Sequence, residues 1–310
     1  MLDSTITVIS PEKMRPKVLQ TVFSSLRSDA FTYRAVFRMG GGATIDTVLE
    51  CLKAARGMDV TVEADGLAFS VGLCDLVARS GIHVIFLQDG YRTPTSLFAN
   101  SLELKPFKMD VTFRASLNEE RAETLVPWMW LDTLSNAGFT RFEYACQPSL
   151  SPFLFRAFLS ALFSYWEAEK PMSMEIPQLD QMWDVMQGHP PSSCVFRGVC
   201  DIQYAIDADG FVYPCPLYAG NAEYRLGSVI WDTRRTIDTA RREMRFIDRS
   251  LVHPRMCSVC SFERWCHDGC MRRRSPCSGA FRYCVAYKAL FARFRKTLQR
   301  QAGEITPTGS

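Results

Sequence analysis

Nine of the twelve cysteines in this chain fall between Cys194 and Cys284, and their spacing is the first sign of chemistry. The stretch "MCSVCSFERWCHDGC", residues 256–270, places four cysteines within fourteen positions. Thiolate sulfur is a soft ligand that suits zinc and iron–sulfur clusters, and four thiolates complete either kind of centre. The pattern therefore predicts metal sites in the C-terminal part of the chain.

Eight of these nine cysteines, all but Cys277, fall into two groups. The first group has the spacing C-x5-C-x9-G-x4-C, and the second, after a gap, has the spacing C-x2-C-x5-C-x3-C followed by one more cysteine. In chain order they are Cys194, Cys200 and Cys215, then Cys257, Cys260, Cys266, Cys270 and Cys284. One C-x2-C pair is a weak signal, but eight thiols in this order are a strong one. From spacing alone, zinc and iron–sulfur clusters both stay open.

The segment between Cys200 and Cys215, "DIQYAIDADGFVYP", predicts a β-hairpin. Its Asp-Ala-Asp-Gly turn ends on Gly210, which supplies the positive φ angle that a tight connection needs. Such a hairpin would bring the two flanking cysteines to neighbouring strand ends. We expect this arrangement to begin a shared metal site.

Composition limits the class of protein. The chain has 310 residues, 47% of them hydrophobic, and its net charge of +3 is too small to indicate nucleic-acid binding by itself. No apolar run approaches the roughly twenty residues that span a bilayer, and the start "MLDSTITVIS" lacks the features of a signal peptide. We therefore expect a cytoplasmic protein that binds neither nucleic acid nor membrane. In that reducing compartment, metal explains twelve cysteines better than disulfides do.

The N-terminal half alternates strand and helix signals. Amphipathic segments, with Ser10 and Thr44 as predicted N-caps, separate six candidate strands. The strands are Thr5–Ile9, Phe31–Arg38, Asp59–Ala64, Ile82–Gln88, Met109–Arg114 and Phe139–Ala145. This alternation predicts an α/β fold with a parallel sheet, either open or closed into a partial barrel.

A Gly/Pro/Ser-rich break, "MQGHPPSSC" at residues 186–194, predicts the domain boundary. We expect a barrel-like domain over residues 1–190 and a cysteine-rich domain over residues 191–300. Residues 301–310 are predicted to form a flexible tail.

Charged residues cluster where the predicted parallel strands end. Ligands bind beyond the carboxyl ends of strands in such folds. The residues in question are Glu63, Asp65, Asp89, Arg114 and Glu143. They either face one cavity or are polar loop residues beside turn-forming glycines, and the sequence leaves both interpretations open.

The C-terminal half resembles a known family. "DADGFVYPC" at 207–215 is similar to the D-G-x-x-Y-x-C hairpin of the SPASM domain, and "CHDGC" at 266–270 is similar to its C-x-G-G-C stretch. "EYRLGSV" and "YCVAYKALF" resemble its Leu-Gly-Asn-Ile segment and its closing helix. SPASM domains extend radical S-adenosylmethionine enzymes that modify peptides and proteins. The resemblance implies a partial (β/α)6 TIM-like barrel followed by a small α+β SPASM domain with a β-hairpin.

The same resemblance implies two [4Fe–4S] clusters. Carried over position by position, the first cluster would take Cys194, Cys200, Cys215 and Cys270. The second would take Cys257, Cys260, Cys266 and Cys284. Cys277 matches no ligand position. The resemblance favours iron–sulfur clusters over zinc.

The chain also departs from the family. No C-x3-C-x2-C motif, which holds the radical-generating cluster, occurs in it, and "TITVI" runs almost directly into the next helix. Gly42 and Ala43 stand where the family's Gly-Gly-Glu-Pro motif has Glu and Pro. These departures imply a degenerate catalytic core with no catalytic residues to name, in which S-adenosylmethionine is not expected. Pro216 follows Cys215 where sulfatase-maturing relatives carry Asp, so that activity is not inferred.

Three hypotheses of function follow. The first is a non-catalytic iron–sulfur subunit that forms a heterodimer with a catalytic radical S-adenosylmethionine protein, binds a precursor peptide or protein, or does both. It would serve electron transfer or peptide binding. The second is a competent radical enzyme whose cluster loop lies upstream of Met1, in a truncated or mis-started reading frame. The third is a zinc-stabilised scaffold.

Overall fold

The computed structural model describes residues 2–26, 31–40, 43–65, 71–88, 111–119, 122, 127–168, 174–276 and 278–304. Helices separate strands β1 to β4, another helix lies between β5 and β6, and three short strands follow in the second half. In chain order, the strands of these residues are Leu2–Ile9 (β1), Phe31–Arg38 (β2), Asp59–Asp65 (β3), His83–Gln88 (β4), Val111–Leu117 (β5), Arg141–Cys146 (β6), Gln203–Ile206 (β7), Phe211–Tyr213 (β8) and Gly227–Ser228 (β9).

The α-helices range from single turns in the cysteine-rich part to a long C-terminal helix. In chain order, the helices of the described residues are Pro16–Leu26 (α1), Ile45–Ala54 (α2), Val71–Ser80 (α3), Pro127–Ala137 (α4), Pro152–Ala168 (α5), Pro177–Met186 (α6), Cys194–Arg197 (α7), Arg234–Glu243 (α8), Phe246–Ser250 (α9), Arg255–Ser258 (α10), Glu263–Cys266 (α11) and Cys284–Glu304 (α12). Helix α12 continues past residue 301, where the predicted tail begins. None of these helices is long and apolar enough to cross a membrane.

The strands form one sheet in the order β6-β5-β4-β3-β2-β1-β7-β8-β9. Strands β1 to β5 pair in parallel with their chain neighbours, and β7 pairs in parallel with the other edge of β1, with Thr5 opposite Gln203. Strands β7, β8 and β9 then run antiparallel. The predicted α/β class with a parallel sheet is confirmed.

Burial on both faces fits the central position of the first strand in the sheet, since Thr7, between two buried apolar residues, is itself buried. Ile6 and Val8 of β1 are fully buried, and β2 contributes Phe37. Helix α1 covers this face, with Phe23 meeting Phe37 edge to face at 5.8 Å between ring centroids. Each such side chain contributes about 1.5–3 kcal/mol on burial.

One predicted helix cap is confirmed and one is wrong. Thr44 caps α2, since its Oγ1 accepts a hydrogen bond from the backbone N–H of Thr47 at 3.3 Å. Ser10 makes no side-chain cap. It lies at φ 53° and leads into a short 3₁₀ helix, Pro11–Lys13, because the proline that follows fixes the start of that turn.

The predicted hairpin is confirmed. Ala205 pairs with Tyr213 across β7 and β8, and the connecting turn runs from Asp207 to Gly210, which has φ 84°. The Asp207 carboxylate accepts hydrogen bonds from the backbone N–H groups of Asp209 and Phe211 at 3.1 and 2.9 Å. The turn is therefore fixed by its first residue as well as by its glycine.

The described chain divides into two compact units that each draw on separate stretches. The first unit comprises 1–116, 133–142 and 201–249, and the second comprises 117–132, 143–200 and 250–310. The domain boundary near residue 190 and the ranges 1–190 and 191–300 stay predictions. Within the second unit, α12 packs on α5, where Phe163 meets Phe294 edge to face at 4.7 Å.

Candidate metal centres

The four cysteines predicted to hold the second cluster line one pocket. Cys257 lies in α10, Cys260 follows it, Cys266 ends α11 and Cys284 begins α12. All four thiols line the same pocket of the second unit, together with side chains that include Asp268 and Lys288. The free space inside is only about 20 Å³, room for about one water molecule. The four cysteines that the resemblance assigns to one cluster therefore surround one small cavity.

The turn after Cys266 has an unusual backbone. His267, Asp268 and Gly269 lie in succession in the left-handed region, with φ values of 47°, 58° and 57°. Residues other than glycine adopt this conformation at a cost of about 1–2 kcal/mol each. Here the Asp268 carboxylate compensates, because it accepts the backbone N–H of Phe281 at 2.9 Å and pairs with Arg274 at 2.9 Å. Asp268 thereby holds the turn that carries Cys266.

Burial raises the pKa of three thiols of this second set, those of Cys257, Cys266 and Cys284. Burial, followed by the charge of Cys284, raises the pKa of Cys266 to about 12. Burial and the nearby Asp268 raise the pKa of Cys257 to about 11. Thiolates are the ligand form, so metal binding here would release protons.

Three cysteines predicted for the first cluster also lie in the second unit. Cys194 begins the single-turn helix α7 behind the N-cap Ser193. The Cys200 backbone N–H donates to Ser250 Oγ at 3.0 Å. Cys270 leads into a short 3₁₀ helix, Met271–Arg273.

Two contacts pack these segments together within the second unit. A side chain at Gly198 would meet the Cβ atom of His267 at 2.8 Å, so the loop after α7 lies against the turn after Cys266. Phe196 of α7 stacks on Tyr287 with ring centroids 6.1 Å apart. The requirement for glycine at 198 is therefore steric as well as conformational, since its φ is 71°.

The fourth cysteine predicted for the first cluster, Cys215, belongs to the first unit, just after β8. Arg241 of α8 lies in the same unit and is 5% exposed. Its guanidinium lies over the ring of Tyr204 at 4.5 Å, and Nη2 donates to the carbonyl oxygen of Gln203. Burial lowers the pKa of Arg241, and the nearby Tyr204 and Cys215 oppose that effect.

The carboxyl ends of the parallel strands place two of the predicted charged residues together. Glu63, 5% exposed, accepts hydrogen bonds from Arg114 at 2.5 Å and from Arg38 at 2.7 Å. Burial alone would raise the pKa of Glu63, but the charges of Arg114 and Arg38 bring it below its ordinary value. Glu143 lies in the second unit, and the Asp65 side chain, Asp89, Gly42 and Cys277 lie outside the described residues.

Sequence reasoning missed Glu12, Asp268 and Arg241. Glu12 lies in the turn after β1, with both carboxylate oxygens closed to solvent and, among the described residues, without a hydrogen-bond partner. A Cβ atom at position 40 would clash with its carboxylate, which accounts for Gly40. Asp268 sits in "CHDGC", where its position between two cysteines was the available signal. Arg241 lies in a strongly polar helix and carried no signal of burial.

No disulfide links the cysteines that the structure describes. In the same part of the chain, no three His, Cys, Asp or Glu side chains gather closely enough to hold a single metal ion. Cys146, which matched no ligand position, is half-buried near Tyr283 and Arg273, and desolvation raises the pKa of its thiol to about 12.

Curated proteins similar to this chain are sulfatase-maturating enzymes. A cysteine-type anaerobic sulfatase-maturating enzyme of Clostridium novyi is 32% identical over 130 residues, 41% of this chain and 34% of the relative. One from Clostridium perfringens is 30% identical over 149 residues, 46% of this chain and 40% of the relative. The chain thus matches roughly a third to two fifths of the length of these relatives. No protein-family model matches the chain.

Solved structures share the fold over most of the chain. "Native anSMEcpe with bound AdoMet" matches with a TM-score of 0.82 at 18% identity, covering 97% of this chain and all of that one. Streptococcus suis SuiB bound to precursor peptide SuiA matches with a TM-score of 0.58 at 12% identity, covering 91% of this chain and 75% of that one. The α/β fold with a parallel sheet is therefore shared with these structures, whereas the partial barrel and the SPASM domain stay predictions in their details.

Proposed function

This chain is a homologue of the anaerobic sulfatase-maturating enzymes, of the radical S-adenosylmethionine/SPASM type, and from that premise we propose that it is an accessory iron–sulfur protein of a peptide- or protein-modifying system. In this proposal it carries two [4Fe–4S] clusters and does not itself generate a radical. A catalytically complete radical enzyme would act as its heterodimer partner. The expected cytoplasmic location belongs to the same proposal.

The observation that carries the proposal is the connection after β1. In radical enzymes the cluster loop follows the first barrel strand, as the resemblance implies. Here β1 ends at Ile9, and only Ser10 separates it from the 3₁₀ helix Pro11–Lys13. The Ser10 N–H donates to the Arg38 carbonyl at 2.8 Å, so the connection stays next to the end of β2. This short connection contains no cysteine and leaves no loop for three thiolate ligands.

The donor chemistry of the second cysteine set supports the cluster assignment. Four thiols on one pocket fit a centre with thiolate ligands, and the resemblance selects a [4Fe–4S] cluster on Cys257, Cys260, Cys266 and Cys284. Asp268 would keep Cys266 oriented. Lys288, on the same pocket, places a positive charge beside the set.

For the first set we propose Cys194, Cys200, Cys215 and Cys270 as ligands. Three local anchors support it: the Ser193 cap before Cys194, the Ser250 hydroxyl on the Cys200 N–H, and the β-hairpin that leads to Cys215. When bound, clusters of this type supply one-electron transfer. The protein residues hold the thiolates in place and limit solvent access.

A peptide substrate is the second part of the proposal. Printed descriptions of neighbouring structures name anSMEcpe with a bound peptide and SuiB with its precursor peptide SuiA. We propose that this chain binds a precursor peptide or protein for its partner.

A second candidate function has its own supporting observation. Four neighbouring anSMEcpe structures and one of SuiB are described with bound AdoMet or S-adenosylmethionine, so the expectation that this chain does not bind that cofactor receives no support. A competent radical maturase encoded in a longer reading frame is therefore the alternative. A zinc-stabilised scaffold is the third possibility, and metal analysis separates it from the other two.

The deciding experiment measures iron, acid-labile sulfide and zinc per chain after anaerobic purification, and then S-adenosylmethionine cleavage. We expect about eight iron and eight sulfide per chain and no 5′-deoxyadenosine formed by the chain alone. About two zinc without sulfide would leave the scaffold. Cofactor cleavage by the purified chain would replace the accessory role with the enzymatic one.

A further inference from the structure

An arginine-rich pocket lies in the first unit, beside the amino-terminal half of β7. Its volume, about 450 Å³, is within the range of pockets that hold small ligands. The charged side chains that line it in the described part of the chain are Arg234, Asp238, Arg241, Arg242, Arg245 and Asp248. All of them lie in residues 201–249 of that unit. The lining therefore carries two more positive than negative charges.

Arg241 is the buried cation of this pocket. It is 5% exposed, its Nη2 donates to the Gln203 carbonyl oxygen, and its guanidinium lies over the ring of Tyr204. Asp238 lines the same pocket but pairs with Arg234 at 3.1 Å. Among the described residues, Arg241 has no paired carboxylate, and its Nε and Nη1 atoms are closed to solvent and have no hydrogen-bond partner. A buried charge without a counter-ion costs free energy, and an anion in the pocket would reduce this cost.

Arg242 and Arg245 are the exposed cations of the same pocket. Arg242 Nη2 donates to the Thr239 hydroxyl at 3.1 Å, and Arg245 Nε lies 3.1 Å from the Asp248 carboxylate. A guanidinium carries five N–H groups, so each of these arginines keeps several donors for a ligand. The exposed ion pair of Arg245 is of a kind that contributes little free energy, so a ligand can compete for that guanidinium.

The backbone of Arg245 is a further sign of a site. Helix α8 ends at Glu243, and Arg245 follows with φ 53°, in the left-handed region. Glycine is favoured at this position after a helix, because other residues adopt the left-handed conformation at a cost in free energy. The chain thus carries an arginine where glycine would be less strained. Such strain is typical of positions whose side chain has a use.

We propose that this pocket binds a small molecule through a phosphate group, to which Arg242 and Arg245 donate hydrogen bonds while Arg241 supplies a buried positive charge. Arginine forms strong, often bidentate hydrogen bonds with phosphate, and a phosphate dianion matches the two excess positive charges. The site is distinct from the carboxyl ends of the parallel strands, where Arg38 pairs with Glu63. It requires no iron–sulfur cluster and would add a second kind of ligand to those of the proposed function.

The experiment is a calorimetric titration of the anaerobically purified full chain with inorganic phosphate at about pH 8, where phosphate is mainly a dianion. Sodium chloride and sodium acetate of the same ionic strength serve as reference titrants. We expect one saturable phosphate site per chain and none for chloride or acetate. Arg242→Gln should weaken phosphate binding about tenfold, or ~1.4 kcal/mol. Arg235→Gln removes the same charge from an exposed position of α8 that does not line the pocket, and it should leave the affinity unchanged.

A second variant, Arg245→Gly, separates binding from structure. Glycine relieves the left-handed backbone, so the melting temperature should stay the same or rise while phosphate binding weakens about tenfold. If Arg245→Gly does not fold, Arg242→Gln decides alone. Unchanged phosphate affinity in the pocket variants would overturn the assignment. An equal loss in Arg235→Gln would also overturn it, because the attraction would then be a general effect of charge.

The remaining outcomes concern the wild-type chain. Acetate binding as tight as phosphate binding would overturn the phosphate class of ligand. A chain that holds iron but binds no phosphate would overturn this inference and leave the proposed function standing. A chain that binds phosphate but holds no iron would overturn the proposed function and leave the phosphate site standing.

Discussion

The two predicted cysteine sets are built in different ways. The second set spans residues 257–284, lies wholly in the second unit and lines one pocket. The first set starts at Cys194, ends at Cys270 and takes Cys215 from the other unit. Short turns bring the second set to one pocket within one unit. The first set is a proposal that draws its four cysteines from both units. A substitution that destabilises only one unit should therefore change metal binding by the two cysteine sets to different extents.

The largest expected effect comes from removing a ligand of the compact set. Cys266→Ala should lower iron from about eight to about four per chain, because the loss of one of its four ligands destabilises the second cluster while the first set keeps its own. Iron and sulfide analysis after anaerobic reconstitution measures this. Cys146→Ala, which removes a half-buried thiol outside both sets, should retain all the iron. Equal loss in both variants would contradict the separation of the sets.

The next largest effect is expected from breaking the ion pairs of Glu63 with Arg38 and Arg114 in the first unit. Glu63→Gln leaves Arg38 and Arg114 without their carboxylate, and breaking such a pair costs about 3–5 kcal/mol of unfolding free energy. Chemical denaturation measures the loss. We expect the first cluster, which needs Cys215 of this unit, to be lost before the second. Glu50→Gln, on an exposed helical pair, is the control and should change stability little.

The same residue predicts a pH dependence. Because the folded pKa of Glu63 lies below its ordinary value of 4.5, its contribution to stability is complete above pH 4.5 and is lost as the pH falls through the folded pKa. In Glu63→Gln this part of the acid destabilisation should disappear. If the stability of the variant falls at low pH as much as that of the wild type, the loss is not due to protonation of Glu63.

A smaller effect is expected at the turn after Cys266, in the second unit. Asp268→Asn keeps the size of the side chain but removes the charge that pairs with Arg274, at a cost of about 1–3 kcal/mol. The second cluster should then be lost more rapidly than the first on exposure to a chelator. Asp248→Asn, on an exposed pair of the first unit, is the matched control. Equal rates of loss for the two clusters would argue against a positioning role for Asp268.

The smallest expected effect is at the N-terminus of helix α2, which lies in the first unit and away from the predicted metal sites. Thr44→Ala removes the cap of α2 and should cost about 0.5–2 kcal/mol in thermal or chemical unfolding, with no loss of iron. Ser10→Ala should cost less, because the Ser10 side chain makes no cap. A larger effect at Ser10 would mean that the cap assignment is reversed.

Local patterns in the sequence account for what could be predicted. The strands of the sheet and the hairpin after Cys200 follow from apolar runs and an Asp-Gly turn, and Glu63 and Arg114 share a sheet edge because parallel strands end together. Asp268 and Arg241 escaped prediction because their roles depend on backbone groups 13 and 38 residues away. The prediction of a helix cap at Ser10 is wrong because a Ser-Pro pair can precede either a 3₁₀ helix or an α-helix, and the sequence does not distinguish the two.

The pairing of β7 with β1 has a consequence for how the molecule is made. Ser4 Oγ donates to the Ile202 carbonyl at 2.7 Å, a contact that spans 198 positions of the chain. During synthesis the first strand leaves the ribosome long before its second neighbour, so one of its edges stays open until residue 206 has emerged. Contacts of such long range slow folding, and an open strand edge invites pairing with other chains. The yield of folded protein in the cell should then depend on how fast residues 10–200 are translated. It should also depend on chaperones that cover this strand edge until β7 has been synthesised.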